Sequence, residues 1–328
     1  MKYNFLISLA LALSLTPISL HAANLPVPFS SQAPQGRWVE PWKNACEEAS
    51  TMLVDLFYYG YTSKQVDADG ATKLISLLVK LENNHFGFNK DTNAVQITEL
   101  INLYLPWEAY IVENPTLEQL KAEIDNGHPI LFPVHGRDLR NPHYNTDQID
   151  YHVFVISGYD DEKKEFIAQE VATQFGIDFR YSYDTIMTAM HDFLPRDKTY
   201  LGRKVAIFTR KELIDSGATD GDKDGLTKRD EIELGTILYY ADSDGDGFND
   251  GLEVANGYSP TVNETKLGNN ALIKTNGSPD VFLLDNGKTQ KIVSEQVLQN
   301  HGWKWQDVKT ISKKFFETKL ILGTDITE

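Results

Sequence analysis

The chain contains a single cysteine, Cys46, and the chemistry open to it depends on His152, which follows much later in the sequence. A cysteine becomes a nucleophile when a base accepts its proton, a third group orients that base, and hydrogen-bond donors stabilise the oxyanion. His152 is the candidate base because it begins a strand-like run of residues. The alternatives are a small buried hydrophobe for Cys46 and, for His152, a core histidine satisfied by a backbone carbonyl.

Cys46 lies in a segment with the spacing of an amphipathic helix. Asn44 is placed to cap that helix, and Glu47 three residues later would complete a capping box. The apolar face ends at Gly60 and consists of Ala49, Met52, Leu53, Leu56 and Phe57. A thiol beside the unpaired N–H groups of a first turn lies at the positive end of the helix dipole. We therefore expect a stabilised thiolate at Cys46.

Three further polar residues are candidates for the remaining roles. Gln169 and Glu170 lie one predicted strand after His152, close enough to orient its imidazole. Gln32, upstream of the cysteine, is the candidate oxyanion donor through its side-chain amide. The alternatives are a polar loop residue for Gln32 and a surface carboxylate on an edge strand for Glu170. A cysteine at the start of a helix followed by a histidine on a later strand is the order of papain-like enzymes.

The elements expected to position these residues are helices first and strands afterwards. After the Cys46 helix, apolar spacing predicts helices over residues 70–81, 94–103 and 117–126, the last with a capping box of Thr116 and Gln119. Strand-like runs separated by Gly or Asp turns follow at residues 129–134, 152–157, 165–168, 179–181 and 204–208. This order predicts an α+β domain with an antiparallel sheet over residues 24–210.

Length, charge and the N-terminus limit the class of protein. The 328 residues predict two or more domains, and the formal net charge of −16 argues against a nucleic-acid or anionic-membrane partner. Residues 1–23 read as a cleaved signal peptide, with Lys2, an apolar run over residues 5–20 and a cleavage point after Ala22 or Ala23. No transmembrane segment is predicted downstream. We expect an exported protein, extracellular, cell-surface or periplasmic, without an internal disulfide.

Two acidic repeats within residues 211–262 have the pattern of twelve-residue calcium loops, which offer oxygens from positions 1, 3, 5, 7, 9 and 12 and need glycine at position 6. In the first repeat the expected ligands are Asp220, Asp222, Asp224, the carbonyl of Leu226 and Glu231, with Gly225 at position 6 and the non-ligating Lys228 at position 9. In the second they are Asp242, Asp244, Asp246, the carbonyl of Phe248, Asp250 and Glu253, with Gly247 at position 6. Structural calcium is predicted; a solvated acidic linker is the alternative.

Residues 268–328 follow a Gly/Asn-rich linker and predict a small α+β C-terminal module. Strand-like runs at residues 271–274, 281–284 and 290–293 surround an Asn-Gly turn, and a helix is predicted over residues 294–300. Trp303 and Trp305 are interpreted as packing within the module, with stacking on a sugar or a protein partner as the alternative.

Several motifs, in order along residues 25–210, resemble those of a known family. They are residues 27–34 around Gln32, 45–50 around Cys46, 126–131, Asn141-Pro142 and 151–160 around His152. Together they resemble the secreted C39-like cysteine peptidases, relatives of the bacteriocin-leader peptidases with a papain-like fold. The resemblance implies Cys46 as nucleophile, His152 as general base and Gln32 as oxyanion donor. The family usually has Asn-Asp after the histidine strand, where this chain has Gln169-Glu170, and we expect Glu170 to orient the imidazole.

The remaining segments have resemblances of their own. The acidic repeats resemble bacterial thrombospondin type 3-like repeats, which implies a rod-like spacer stiffened by calcium. The C-terminal module resembles a small repeat module of exported bacterial proteins. The predicted function is hydrolysis of a peptide or protein substrate, with a cell-surface or cell-wall partner of the C-terminal module left open. The alternatives are a non-catalytic peptide-binding or adhesion protein, and a surface structural protein.

Overall fold

A computed structural model describes residues 21–144 and 149–328 of the chain. The apolar part of the predicted signal peptide lies outside these ranges, whereas its predicted cleavage point lies within them. No helix in the described ranges is long and apolar enough to cross a membrane.

Helices come before most of the strands in the first two thirds of the chain, as predicted. The elements are β1 (Ala22–Asn24), α1 (Cys46–Tyr59), α2 (Ala68–Phe86), α3 (Ala94–Tyr104), β2 (Glu108–Glu113), α4 (Leu117–Asp125), β3 (Ile130–His135), α5 (Gly136–Leu139), β4 (Tyr151–Asp160), β5 (Glu165–Gln169), β6 (Phe179–Ser182), α6 (Tyr183–Ala189) and β7 (Val205–Arg210). In the described ranges these strands form one sheet in the order β2-β7-β3-β4-β5-β6, with β1 paired to β4. The strand pairs are antiparallel, which confirms the predicted α+β class.

Strand β4 lies near the middle of this sheet and is covered on both faces. Tyr151, Val153 and Val155 belong to the apolar cluster that contains α1, α2 and α3. Phe154 and Ile156 belong to the cluster on the opposite face, with residues of α4 and α6. Successive side chains of a strand point to opposite faces. Tyr151 and Val153 therefore point toward α1, and His152 between them points to the opposite face at the start of β4.

The predicted capping box of α1 is wrong. The helix begins at Cys46 after Ala45, with no side-chain cap, and Asn44 donates to Glu40 instead. Glu47 is buried, and its Oε2 accepts a hydrogen bond from the thiol of Cys46 in place of the predicted capping-box contact. The predicted end of the helix is confirmed, since Gly60 adopts the left-handed conformation with φ of 85°.

The other helix predictions agree with the structure, apart from the bounds of α2. The capping box of Thr116 and Gln119 is present at α4. Helix α3 begins at Ala94 as predicted, after a capping box from Asn93 to Gln96. Helix α2 exceeds the predicted range of 70–81 at both ends, because Asp67 caps its start and Gly87 ends it.

The acidic repeats and the C-terminal segment contain short elements. A short helix follows each repeat, α7 (Lys228–Leu234) and α8 (Asp250–Asn256). The C-terminal elements are β8 (Ala271–Thr275), β9 (Phe282–Asp285), β10 (Lys288–Lys291), α9 (Glu295–Asn300), β11 (Lys309–Ile311), α10 (Lys313–Lys319) and β12 (Ile321–Leu322). The predicted hairpin is confirmed, because β9 and β10 pair across Asn286-Gly287. Trp303 packs against the apolar cluster of this segment, as interpreted, whereas Trp305 is 51% exposed.

Candidate functional site

Three of the four residues predicted to act in catalysis line one cavity of about 750 Å³. They are Gln32, Cys46 and His152, and the cavity is bordered by charged and aromatic side chains that include Trp38, Lys43, Asp91, Phe193 and Arg196. The fourth residue, Glu170, lies behind His152 and is fully buried. The fold therefore gathers residues from the N-terminal loop, from α1 and from β4 at one opening.

His152 is held by Glu170. Nε2 of His152 lies 2.7 Å from Oε1 of Glu170, and both side chains are buried. The two residues come together because β4 and β5 are antiparallel neighbours, and Glu170 directly follows the last residue of β5. No described residue hydrogen-bonds to Nδ1 of His152, so this nitrogen is left for chemistry in the cavity.

The carboxylate of Glu170 accepts three further hydrogen bonds. Oε1 accepts from the backbone N–H of Ala172, and Oε2 accepts from the hydroxyls of Tyr144 and Tyr181, each at 2.8 Å. Burial by itself raises the pKa of Glu170, but the adjacent His152 and these donors hold the pKa below its ordinary value. Glu170 is therefore an ionised carboxylate that four hydrogen bonds hold in place.

The backbone of Gly176 packs directly against the backbone of Glu170. The N–H of Glu170 donates to the carbonyl of Gly176 at 2.9 Å, which folds residues 171–176 into a loop against the end of β5. A Cβ atom at position 176 would overlap the carbonyl oxygen of Glu170. Only glycine allows this close approach of the two backbone segments.

Gln169, the other candidate for orienting the imidazole, is directed elsewhere. Its amide nitrogen donates to Asp178 at 3.0 Å, and its amide oxygen accepts from the N–H of the same residue. Of the two neighbouring candidates, Glu170 is thus the one that contacts His152.

Cys46 is buried at the start of α1, and its thiol donates to Oε2 of Glu47 at 3.0 Å. Burial raises the pKa of Cys46 well above its ordinary value, and Glu47 raises it further, whereas the backbone N–H of Val153 acts in the opposite direction. The sequence predicted a thiolate stabilised by the helix dipole. In the structure, burial and a neighbouring carboxyl outweigh that effect.

Gln32 lies beside the loop that leads into α1. Its amide nitrogen donates to the backbone carbonyls of Trp42 and Lys43, at 3.0 and 3.1 Å. The amide oxygen is buried without a partner among the described residues. The side chain therefore lines the same cavity as Cys46, but both of its N–H groups are engaged with backbone carbonyls.

Sequence reasoning missed several residues that surround the site. Tyr144 and Tyr181 bind the acid, and Asn141 donates to the hydroxyl of Tyr181 at 2.7 Å. On the other face, Glu48 and Glu82 are buried near Glu47. The Asn141-Pro142 motif was a signal for Asn141 and for Tyr144 two residues later, whereas Tyr181 and Glu82 come from parts of the chain that no local pattern connects.

The acidic repeats fold into two loops with matching geometry. In each loop the carboxylates of positions 1, 3 and 5 lie within 4.8 Å of one another: Asp220, Asp222 and Asp224 in the first, Asp242, Asp244 and Asp246 in the second. Position 6 has a positive φ in both loops, 102° at Gly225 and 98° at Gly247. These are the sharp turns that a calcium loop needs at this position.

The position-12 glutamates of both loops are turned inward. Glu231 is fully buried and neither of its carboxylate oxygens has a described partner, while Glu253 is 6% exposed and has one such oxygen. Burial and repulsion from neighbouring aspartates raise the pKa of each glutamate to about 8. A divalent cation would satisfy these oxygens. At position 9 of the second loop, Asp250 accepts from the backbone N–H and hydroxyl of Ser243, so this residue is already partnered.

Lys228, at position 9 of the first loop, points away from the carboxylates. It is fully buried, and its Nζ donates to the carbonyls of Ile101, Asn102 and Trp107 and to the hydroxyl of Ser216. Ile101 and Asn102 belong to the last turn of α3, where a cation is favourable because the carbonyls there are unpaired. The first loop is therefore attached to the part of the chain that contains the candidate active site.

The fold and site define an α+β protein of the papain-like type. Residues 24–196 match the Peptidase_C39 like family, and the chain belongs to this family of C39-like peptidases. A solved structure described as a C39-like peptidase from Bacillus anthracis is 16% identical, and the alignment covers 59% of this chain and 100% of that one with a TM-score of 0.40. Comparison with curated proteins found no match.

Proposed function

We propose that this protein is a cysteine peptidase that hydrolyses peptide bonds with Cys46 as nucleophile and His152 as general base. The observation that supports this most strongly is the buried hydrogen bond between His152 and Glu170 at the edge of the cavity that Cys46 lines. A carboxylate with four hydrogen bonds is a firm support for an imidazole, and an oriented imidazole is the base that a thiol needs.

The proposed mechanism gives each of these residues one role. His152 accepts the Cys46 proton at Nδ1, and the sulfur attacks the carbonyl carbon of the scissile bond. The imidazolium then gives its proton to the leaving amine, and water hydrolyses the thioester to release the acid. Glu170 holds Nε2 throughout and stabilises the imidazolium.

The oxyanion is stabilised in this proposal by Gln32 and by the first turn of α1. The N–H groups of a first turn have no partners within their helix. For Gln32 to donate, one of its hydrogen bonds to the carbonyls of Trp42 and Lys43 must be exchanged for the substrate oxygen.

Calcium binding by the two acidic loops is part of the proposal. The ligands would be those predicted from the sequence, with the inward Glu231 and Glu253 at position 12, and the ions would be structural. Asp250, whose oxygens already accept from Ser243, would act through water, as position 9 often does. The unpartnered buried oxygens of Glu231 support this assignment. Export through the N-terminal signal and a surface or cell-wall partner for residues 268–328 complete the proposal.

The test is hydrolysis of fluorescently labelled casein and of a mixture of quenched peptides by the full chain with calcium. We expect hydrolysis that is abolished in Cys46→Ala and in His152→Ala, and that iodoacetamide blocks. Hydrolysis that persists in Cys46→Ala would contradict the proposal.

A peptide-binding domain without hydrolysis is the second candidate. It is favoured by one observation, the hydrogen bond of the Cys46 thiol to Glu47 rather than to an imidazole. The two candidates differ in a measurable way. If His152→Ala leaves the rate of Cys46 alkylation by iodoacetamide unchanged, the thiol is not activated by the imidazole, and binding is the better description.

A further inference from the structure

Three buried glutamates lie behind the candidate nucleophile. Glu47 and Glu48 are in the first turn of α1 and Glu82 is in α2, and each is at most 2% exposed. Burial, and then the charge of Glu82, raise the pKa of both Glu47 and Glu48, and Glu82 accepts a hydrogen bond from the hydroxyl of Thr92 at 3.4 Å. Neighbouring buried carboxyl groups disfavour one another's ionisation.

No compensating cation contacts this group within residues 21–144 and 149–328. One oxygen of Glu47, both of Glu48 and one of Glu82 have no hydrogen-bond partner there. Three ionised carboxylates in such a place would cost far more free energy than three neutral or proton-sharing ones. The cluster must therefore hold protons near neutral pH.

The hydrogen bond between Glu47 and Cys46 gives this cluster a role at the active site. We propose that the neutral carboxyl of Glu47 donates a hydrogen bond to the Cys46 thiolate, and that the Glu48–Glu82 pair keeps Glu47 neutral. This inference rests on the proposed function, in which the thiol proton passes to Nδ1 of His152. When that S–H bond breaks, the sulfur becomes an acceptor, and a protonated Glu47 can then donate to it across the 3.0 Å that separates the sulfur from Oε2 of Glu47 in the structure.

The inference makes the reactive thiolate depend on the protonation of Glu47. An ionised Glu47 repels a thiolate, whereas a neutral Glu47 stabilises it together with the N–H of Val153. Burial, and then the charge of Glu82, raise the pKa of Glu47 to about 8. The ionisable groups that face Glu47 are Cys46 and Glu48 on α1, Glu82 on α2, Asp91 in the loop after α2 and Tyr151 on β4.

The experiment measures the alkylation rate of Cys46 by iodoacetamide against pH in the full chain with calcium. Because the chain has a single cysteine, every labelling event reports this site. We expect the rate to fall as pH rises above about 8, where Glu47 ionises. Glu47→Gln keeps a donor and cannot ionise, so the alkaline fall should vanish.

Two further variants and a control sharpen the result. Glu82→Gln removes the charge that raises the Glu47 pKa, so the fall should move to lower pH. Glu47→Leu removes the donor and should slow alkylation roughly tenfold below the fall, the usual weight of a hydrogen bond to a charged group. Glu118→Gln changes a glutamate that is 77% exposed, and the profile should not change.

An infrared measurement guards against variants that fail to fold. The wild-type protein at pH 7 should show the C=O stretch of a neutral carboxylic acid, and Cys46→Ala should shift that band because the sulfur partner is lost. Identical alkylation profiles for wild type and Glu47→Gln, or no shift of the band, would overturn the inference. Failure of the proposed function would show differently, as an alkylation rate insensitive to His152→Ala.

Discussion

Glu170 and His152 form a buried pair in which Oε1 of the carboxylate lies 2.7 Å from Nε2 of the imidazole. The ring is thereby oriented from behind, and Nδ1 is left toward the cavity. Tyr144, Tyr181 and the backbone of Ala172 complete the surroundings of the carboxylate. These contacts supply a defined place for a side chain one methylene longer than the aspartate usual in the family.

The first prediction concerns this acid. Glu170→Gln keeps the size of the side chain but removes its charge, so it can no longer stabilise the imidazolium. We expect kcat for peptide hydrolysis to fall by roughly two orders of magnitude or more. Glu170→Asp retains the charge but is too short to keep all four hydrogen bonds, and an intermediate rate is expected. A Glu170→Gln enzyme with wild-type kcat would show that the pair has no part in catalysis.

The second prediction concerns the loop behind the acid. Gly176→Ala places a Cβ atom on the carbonyl oxygen of Glu170, so the loop must move and displace the carboxylate. We expect lower thermal stability and a large loss of activity. Gly268→Ala is the matched control, since no heavy atom lies within 4 Å of the added Cβ and its backbone needs no positive φ. Equal melting temperatures for the two variants would contradict the role assigned to Gly176.

The third prediction is a dependence of stability on acid. The pKa of Glu170 is held below its ordinary value of 4.5, so its contribution to stability is fully present above that pH. It is lost as the pH falls through the lower value of the folded state, because the unfolded chain then binds the proton first. The stability advantage of wild type over Glu170→Gln in urea unfolding should therefore shrink on acidification from pH 5 to pH 3. A constant difference would contradict the assignment of an ionised Glu170.

The fourth prediction concerns calcium. Binding to the folded state alone stabilises a protein by about 2.7 kcal/mol per site at a hundredfold excess of calcium over Kd. We expect a chelator to lower the melting temperature, and Glu231→Gln to reduce the calcium-dependent part of the shift. Glu233→Gln, an exposed neighbour on the same helix, is the control. A calcium-independent melting temperature in wild type would contradict structural calcium at these loops.

The parts of the site that were predictable depend on neighbours in sequence or on adjacent strands. Glu170 could be placed near His152 because antiparallel neighbours bring the end of one strand to the start of the other. The buried glutamates could not be anticipated in this way. Glu47 has the spacing of a capping residue, but tertiary packing turned it into the core, and Glu82 reaches it from another helix.

Some elements were not predicted, and others are longer than predicted. Strand β2, Glu108–Glu113, was not predicted, although the four residues between its two glutamates are as apolar as the run that predicted β5; it lies at an edge of the sheet. Helix α6, Tyr183–Ala189, is too short to show helical periodicity. The lengths of α2 and of the longer strands depended on caps and partners outside the apolar runs.

The hydrogen bonds of Lys228 limit where the chain can be cut into separate domains. A boundary at residue 210 separates the last strand of the sheet from the calcium loops, yet the amine that satisfies three backbone carbonyls at and beyond the end of α3 comes from the far side of that boundary. In a fragment that ends at residue 210, the backbone carbonyls of Ile101, Asn102 and Trp107 would lose the Lys228 amine and would depend on water for this hydrogen bond. Exchange of the acidic repeats between relatives, by recombination or in the laboratory, would have to carry a lysine at this position. The first repeat is thus a structural part of the domain it follows, because its lysine completes the hydrogen bonds at the end of α3.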